Sequence, residues 1–168
     1  MGIVIPLALI PKDEYVKKIE SIKQNAMLRA KQKYLSDVRD LVVRPLRPKD
    51  LGLTTDEWVF NVSAGTNADV VSKELDDKTM VVIFGIYNLS TDPQVNEVVF
   101  KTGSETVEDV YVEDMYLYDQ PAVMLDEPII YTPSSTIKID LVAKGANSTE
   151  KLGFLGFVIE PAGRTISK

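Results

Sequence analysis

The chain has 168 residues, 45% hydrophobic and 26% charged, with 9 Gly and 9 Pro, the balance of one ordinary globular domain. Cys and His are both 0, which excludes a disulfide framework, a thiolate nucleophile, a Cys/His zinc site and Ser-His-Asp catalysis. The net charge of -6 is unevenly spread: Lys12 to Lys49 carries 11 basic against 5 acidic residues, a net of +6, and the rest 8 against 20, a net of -12.

Residues 1–10 carry no charged side chain. Pro6 interrupts the run and Pro11 ends it, so an extended leader is expected, of the kind that docks on a surface. It is too short to span a bilayer, lacks the basic start of a signal peptide, and has Pro6 where a myristoylation pattern wants Ser or Thr. No other run reaches membrane-spanning length, and an intracellular product is expected. From Lys12 the period changes. Pro11, Asp13 and Glu14 suit a helix start. Tyr15, Ile19, Ile22 and Ala26 form one narrow apolar stripe, and Met27, Tyr34, Val38 and Leu41 continue it rotated by about a quarter turn. A helix over 12–40 is predicted, kinked near 24–26. Its narrow stripe implies that it rests on one surface.

Pro45, Pro48 and Gly52 mark a connector over 46–53. Strands are predicted at 57–63, 79–89, 94–101, 106–113, 115–118, 122–125, 128–131, 136–144 and 151–160. The 79–89 run, dense in Val, Ile and Phe, reads as a central strand buried on both faces. Strand spacing of about 8–12 residues, turn chemistry between strands and alternating polar faces argue a mainly β fold. The fold class expected is an antiparallel β-sandwich or jelly roll of about eight strands preceded by an N-terminal helix. The division expected is 1–49, leader, basic helix and connector, and 50–168, an acidic β-sandwich domain.

Acidic neighbours occur at Asp76-Asp77, Glu108-Asp109, Glu113-Asp114 and Asp126-Glu127. Neighbours on a strand point to opposite faces, so they do not make the paired carboxylates of a glycosidase. No Asp-x-Asp-x-Asp-Gly loop, Walker pattern or dinucleotide fingerprint occurs, and no metal or cofactor is expected. Gly153 and Gly156 have the spacing of a G-x-x-G loop in an apolar setting, which reads as a bulge or a close backbone approach. Tyr111, Tyr116 and Tyr118 lie near Asp114 and Asp119. On a strand, Tyr116 and Tyr118 would share a face and could stack on a sugar; tyrosines also simply fit half-buried strand positions.

Leader Gly2 to Ile10, helix Lys12 to Asp40 and the strands from Trp58 to Glu160 together resemble the small β-sandwich or jelly-roll proteins of icosahedral virus capsids, including the decoration or cement proteins of phages and archaeal viruses. The resemblance is one of layout over the whole chain. It implies a non-enzymatic virion component that binds copies of itself or other capsid subunits through an N-terminal arm. The arm residues expected at that interface are Ile3, Ile5, Leu7, Tyr15, Ile19, Ile22 and Met27. Nucleic acid is not an expected partner of the acidic body, which repels phosphate. The alternative is a carbohydrate-binding β-sandwich module using the tyrosine cluster.

Overall fold

The computed structural model describes residues 4–65, 67–117, 119 and 121–163. Eleven strands alternate with few helical segments. A five-stranded sheet holds β1 (Val4–Pro6), β8 (Ala122–Tyr131), β5 (Met80–Asn88), β11 (Leu152–Pro161) and β2 (Leu41–Pro45), side by side in that order. A four-stranded sheet holds β4 (Asn67–Glu74), β9 (Thr136–Ala143), β6 (Val95–Thr102) and β7 (Glu105–Tyr111). The short strands β3 (Phe60–Val62) and β10 (Ser148–Glu150) pair with each other. Every pairing is antiparallel.

The winding is that of a jelly roll. With β1, β3 and β10 set aside, eight strands remain, and the first pairs with the eighth (β2 with β11), the second with the seventh (β4 with β9), the third with the sixth (β5 with β8) and the fourth with the fifth (β6 with β7). A long hairpin rolled up in this way places β2-β11-β5-β8 in one sheet and β4-β9-β6-β7 in the other. The expected fold class is what the chain adopts.

The basic segment is part of this body. β2 lies within 41–45 and is the first strand of the roll, and β1 extends the same sheet at its other edge. A boundary at residue 49 therefore does not separate two structural units. Helix α1 (Lys12–Arg29) starts after Pro11 with Asp13 and Glu14 in its first turn and Arg29 in its last. It ends earlier than predicted. The Leu35 amide donates to the Ala30 carbonyl five residues back, at 2.7 Å, so Ala30–Tyr34 form one wide turn. That turn accounts for the rotation of the apolar stripe, and it lies at 30–34 and not at 24–26. It swings Leu35 into full burial.

β5 explains the layering. Val81, Ile83 and Ile86 belong to the core between the sheets, with Val98, Phe100, Ile139, Phe154 and Val158. Its alternate residues Met80, Val82 and Phe84 face the helix. Ala26, Ala30 and Leu35 pack with Met80, Val82 and Ile159, while Tyr15, Ile19 and Ile22 pack with Phe84, Met124 and Phe157. The molecule thus has three layers, helix, sheet and sheet, and the expected burial of 79–89 on both faces follows. Gly156 permits the close pairing of β11 with β5: a Cβ there would lie 2.1 Å from the Val82 carbonyl oxygen.

Other expectations shift. The strand predicted over 57–63 is only the three residues of β3. The segments 122–125 and 128–131 are one strand, β8, carrying a bulge between Met124 and Ile129. Residues 115–117 belong to a short helix α2 (Glu113–Leu117). β2 and β4 carry no strand prediction at all.

Candidate functional site

The expected arm interface is occupied within the chain. Leu7, Tyr15, Ile19 and Ile22 pack on the outer side of the five-stranded sheet, and Met27 packs with the Met80 cluster. Ile5 is half-buried opposite Met124 in the β1–β8 pairing. Ile3 lies outside the described residues. These side chains already cover an apolar sheet face that would otherwise meet water, which is why the stripe exists. What α1 presents outward is different: exposed Val16 and Leu28 among Lys17, Gln24, Arg29, Lys31 and Lys33.

The expected ligand surface also divides. Tyr116 sits on α2, turns onto the main core, and accepts a 3.0 Å hydrogen bond from Asn88 Nδ2. Burial pushes its hydroxyl well above the usual tyrosine range, with the Asn88 contact acting the other way. Tyr111 stays on β7, half-exposed on the outer face of the four-stranded sheet. Asp114 is exposed on α2, and Tyr118 lies outside the described residues. The helix α2 holds Tyr116 in place of the strand on which it would have shared a face with Tyr118, and Tyr111 lies on a different surface from Tyr116.

Tyr116 and Asp119 do line an open pocket of about 450 Å³, with Asn88, Ser90, Thr91 and Met115. Beneath it lies fully buried Glu150. Its Oε1 accepts from the amides of Gln94 (2.8 Å) and Val95 (2.9 Å) and from Asn88 Nδ2 (3.4 Å), and its Oε2 from the Ser148 hydroxyl (2.7 Å). Four donors satisfy the carboxylate, so its chemistry is spent on tying the loops after β5 and β9 together. Nothing in the local sequence marks Glu150 apart from other acidic residues.

A second buried ionic group closes the roll. Arg44 on β2 donates from Nε to Glu160 Oε1 on β11 at 2.7 Å and grips both oxygens of Asp50 at 2.6 and 2.7 Å. Asp50 Oδ2 also accepts the Arg47 amide at 2.8 Å. Burial alone would raise the Asp50 carboxyl; the Arg44 and Arg47 contacts outweigh it and hold the group below its ordinary range. Beside this group is a pocket of about 520 Å³ lined by Arg47, Lys49, Lys73, Asp56, Glu74 and Asp76, with charges of both signs.

The outer face of the four-stranded sheet is the third surface. Cross-strand register sets Glu97 opposite Tyr111 and Val142, and Asp109 opposite Val99. Glu97 and Asp109 are diagonal neighbours there. Glu97 is pushed up to about 7, first by its hydrogen bond to Asp109, then by burial and by the Asp109 charge. One Asp109 carboxylate oxygen, Oδ1, is buried with no hydrogen-bond donor on it. Held up in this way, the Glu97 carboxyl can keep a proton to donate towards Asp109. Beside it Lys101 pairs with Asp140 at 2.5 Å, and Asp140 stands opposite Asp69. Glu108 and Asp109 are sequence neighbours expected on opposite faces; the neighbour of Asp109 on its own face is Glu97, twelve residues away across the Gly103-Ser104 turn. Only the hairpin register brings the two together.

Among the described residues, no group of three or more His, Cys, Asp or Glu is placed to hold a metal ion, and no helix is long and apolar enough to cross a membrane. No protein-family model, curated protein or solved structure matches the chain.

Proposed function

We propose that the chain is a non-enzymatic structural subunit that assembles with copies of itself, a capsid or decoration component of a virion shell. The observation that carries this reading is the jelly roll itself with its N-terminal segment built in. The winding is one that shell subunits use, and the added helix is an outer layer whose exposed side is rich in Lys and Arg. A jelly roll also serves lectins, so winding alone does not choose between the two. The choice rests on the site. The carbohydrate-binding alternative drew on Tyr116 and Tyr118 sharing a strand face; Tyr116 lies on a helix with its hydroxyl held by Asn88, Tyr111 lies on another surface, and Tyr118 lies outside the described residues.

The reading places the assembly surface on the faces of the roll and not on the leader stripe, which its own sheet covers. Sedimentation velocity and electron microscopy of the purified chain over a wide concentration range test it. Ordered oligomers or a lattice are expected. A chain that stays monomeric throughout, or that shifts only on adding a glycan, overturns it.

A further inference from the structure

Two surfaces at opposite ends of the three-layer stack match in size, polarity and charge. The first is the outward side of α1 and the wide turn after it. Across residues 12–34 seven basic residues stand against three acidic ones, Asp13, Glu14 and Glu20, and the basic excess lies at 23–33. Lys23 is occupied by Glu20 at 3.4 Å, and Lys33 lies over the Tyr34 ring. Arg29 and Lys31 are exposed, and Leu28 beside them is 52% exposed. The second surface is the outer face of the four-stranded sheet. There Val107 (47% exposed) and Tyr111 (48% exposed) lie among Glu97, Asp109, Asp140 and Asp69, with Lys101 and Lys138 as the cations on that face. This face is exposed at Val107 and Tyr111 and buried at Val99 and Asp140, whereas the equivalent face of the other sheet is covered by α1.

We propose that the outward side of α1 in one copy docks on the open face of the four-stranded sheet in the next, a head-to-tail contact between copies of this chain. The inference rests on the assembly reading and names its partner and its two faces. The helix side carries the exposed apolar Val16 and Leu28 within a net positive surround, and the sheet face carries Val107 and Tyr111 along its β7 edge beside a smaller net negative charge, since Lys101 is already paired with Asp140; the opposite signs favour this pairing over like-on-like. An 18-residue helix is about 27 Å long at 1.5 Å per residue, and strands of seven or eight residues run about 23–26 Å at 3.3 Å per residue, so helix and sheet face span one another. The faces lie on opposite sides of one molecule and cannot meet within it. The contact is therefore heterologous, and it propagates until the rotation closes a ring.

The test uses two double variants of the full chain. One carries Leu28→Glu with Lys31→Glu, the other Val107→Lys with Tyr111→Lys; all four positions are exposed or, for Lys31, on the outward helix side. Each variant alone is expected to self-associate at least tenfold more weakly than the unaltered chain. An equimolar mixture is expected to form one-to-one dimers that grow no further, because each variant retains the face the other lacks. Thermal melts check folding; if either double variant melts early, Lys31→Gln and Tyr111→Ser replace it and are expected to weaken association in the same direction. Self-association unchanged in the variants, or a mixture that forms no dimer while the unaltered chain assembles, overturns the head-to-tail contact and leaves the assembly reading standing. An unaltered chain that is monomeric overturns both.

Discussion

Glu97, beside Asp109 on the four-stranded sheet, is the residue whose behaviour is most readily titrated. The folded chain keeps the Glu97 proton up to about 7, against an ordinary value of 4.5. The unfolded chain releases it near the lower value. The folded state thus binds more protons across that window, and stability falls as pH rises from about 4.5 to about 7. Glu97→Gln supplies a neutral donor to Asp109 at every pH and should flatten that part of the profile. Melting temperatures across the window check it, and an unchanged slope in the variant would remove the Glu97 proton from the account. Arg44 makes a different prediction. Removing it as Arg44→Met strands Asp50 and Glu160, whose side chains are 6% and 0% exposed, without their guanidinium. Breaking a buried pair from one side costs about 3–5 kcal/mol. Arg44→Lys should recover only part of this, because an ammonium cannot grip Asp50 bidentately and reach Glu160 together. Urea midpoints of the two variants measure both effects.

At the scale of elements, α1 is a wall of the core. Deleting residues 1–40 would bare Met80, Val82, Phe84, Met124, Phe157 and Ile159 on one sheet face and remove β1 from its edge. The truncated chain is expected to aggregate or unfold and not to persist as a free β body; a soluble, cooperatively melting truncation would show the sheet to be self-sufficient. Ile22 touches both helix-facing clusters. Ile22→Asp buries a carboxylate with no partner, which costs about 1–3 kcal/mol beyond the lost packing. At about 2–4 °C per kcal/mol for a chain of this length, the melting temperature of the isolated protein should fall by roughly 5–15 °C. A melt within a degree of the unaltered protein would mean that the stripe is not seated on the sheet.

For the whole molecule, charge separation governs encounter more than affinity. Exposed ion pairs contribute about 0.2–1 kcal/mol each, and their reach is about 8 Å at physiological salt. If the basic helix side meets the acidic sheet face, the association rate should drop as salt is raised, with dissociation changing less. Stopped-flow light scattering at several ionic strengths measures it, and a flat rate would remove electrostatic steering from assembly.

Local sequence determined the elements whose signal is local. Alternation marked β9, a dense run of β-branched and aromatic residues marked β5, and Pro11 with Asp13 and Glu14 marked the start of α1. Spacing of turns was enough for an antiparallel sandwich or jelly roll, because a chain of short amphipathic strands has few other ways to bury its apolar faces. Leu41–Pro45 was not legible as a strand: it is short, holds Arg44 and ends in proline, and only pairing with β11, 116 residues on at Glu160, makes it one. The owner of the helix stripe was equally hidden, since an apolar stripe is the same whether it covers its own sheet or another copy's. Carboxyl pairing between Glu97 and Asp109, and the caging of Glu150 and Arg44, depend on strand register and loop closure. Those are set by the fold of the whole chain and leave no mark on the residues beside them.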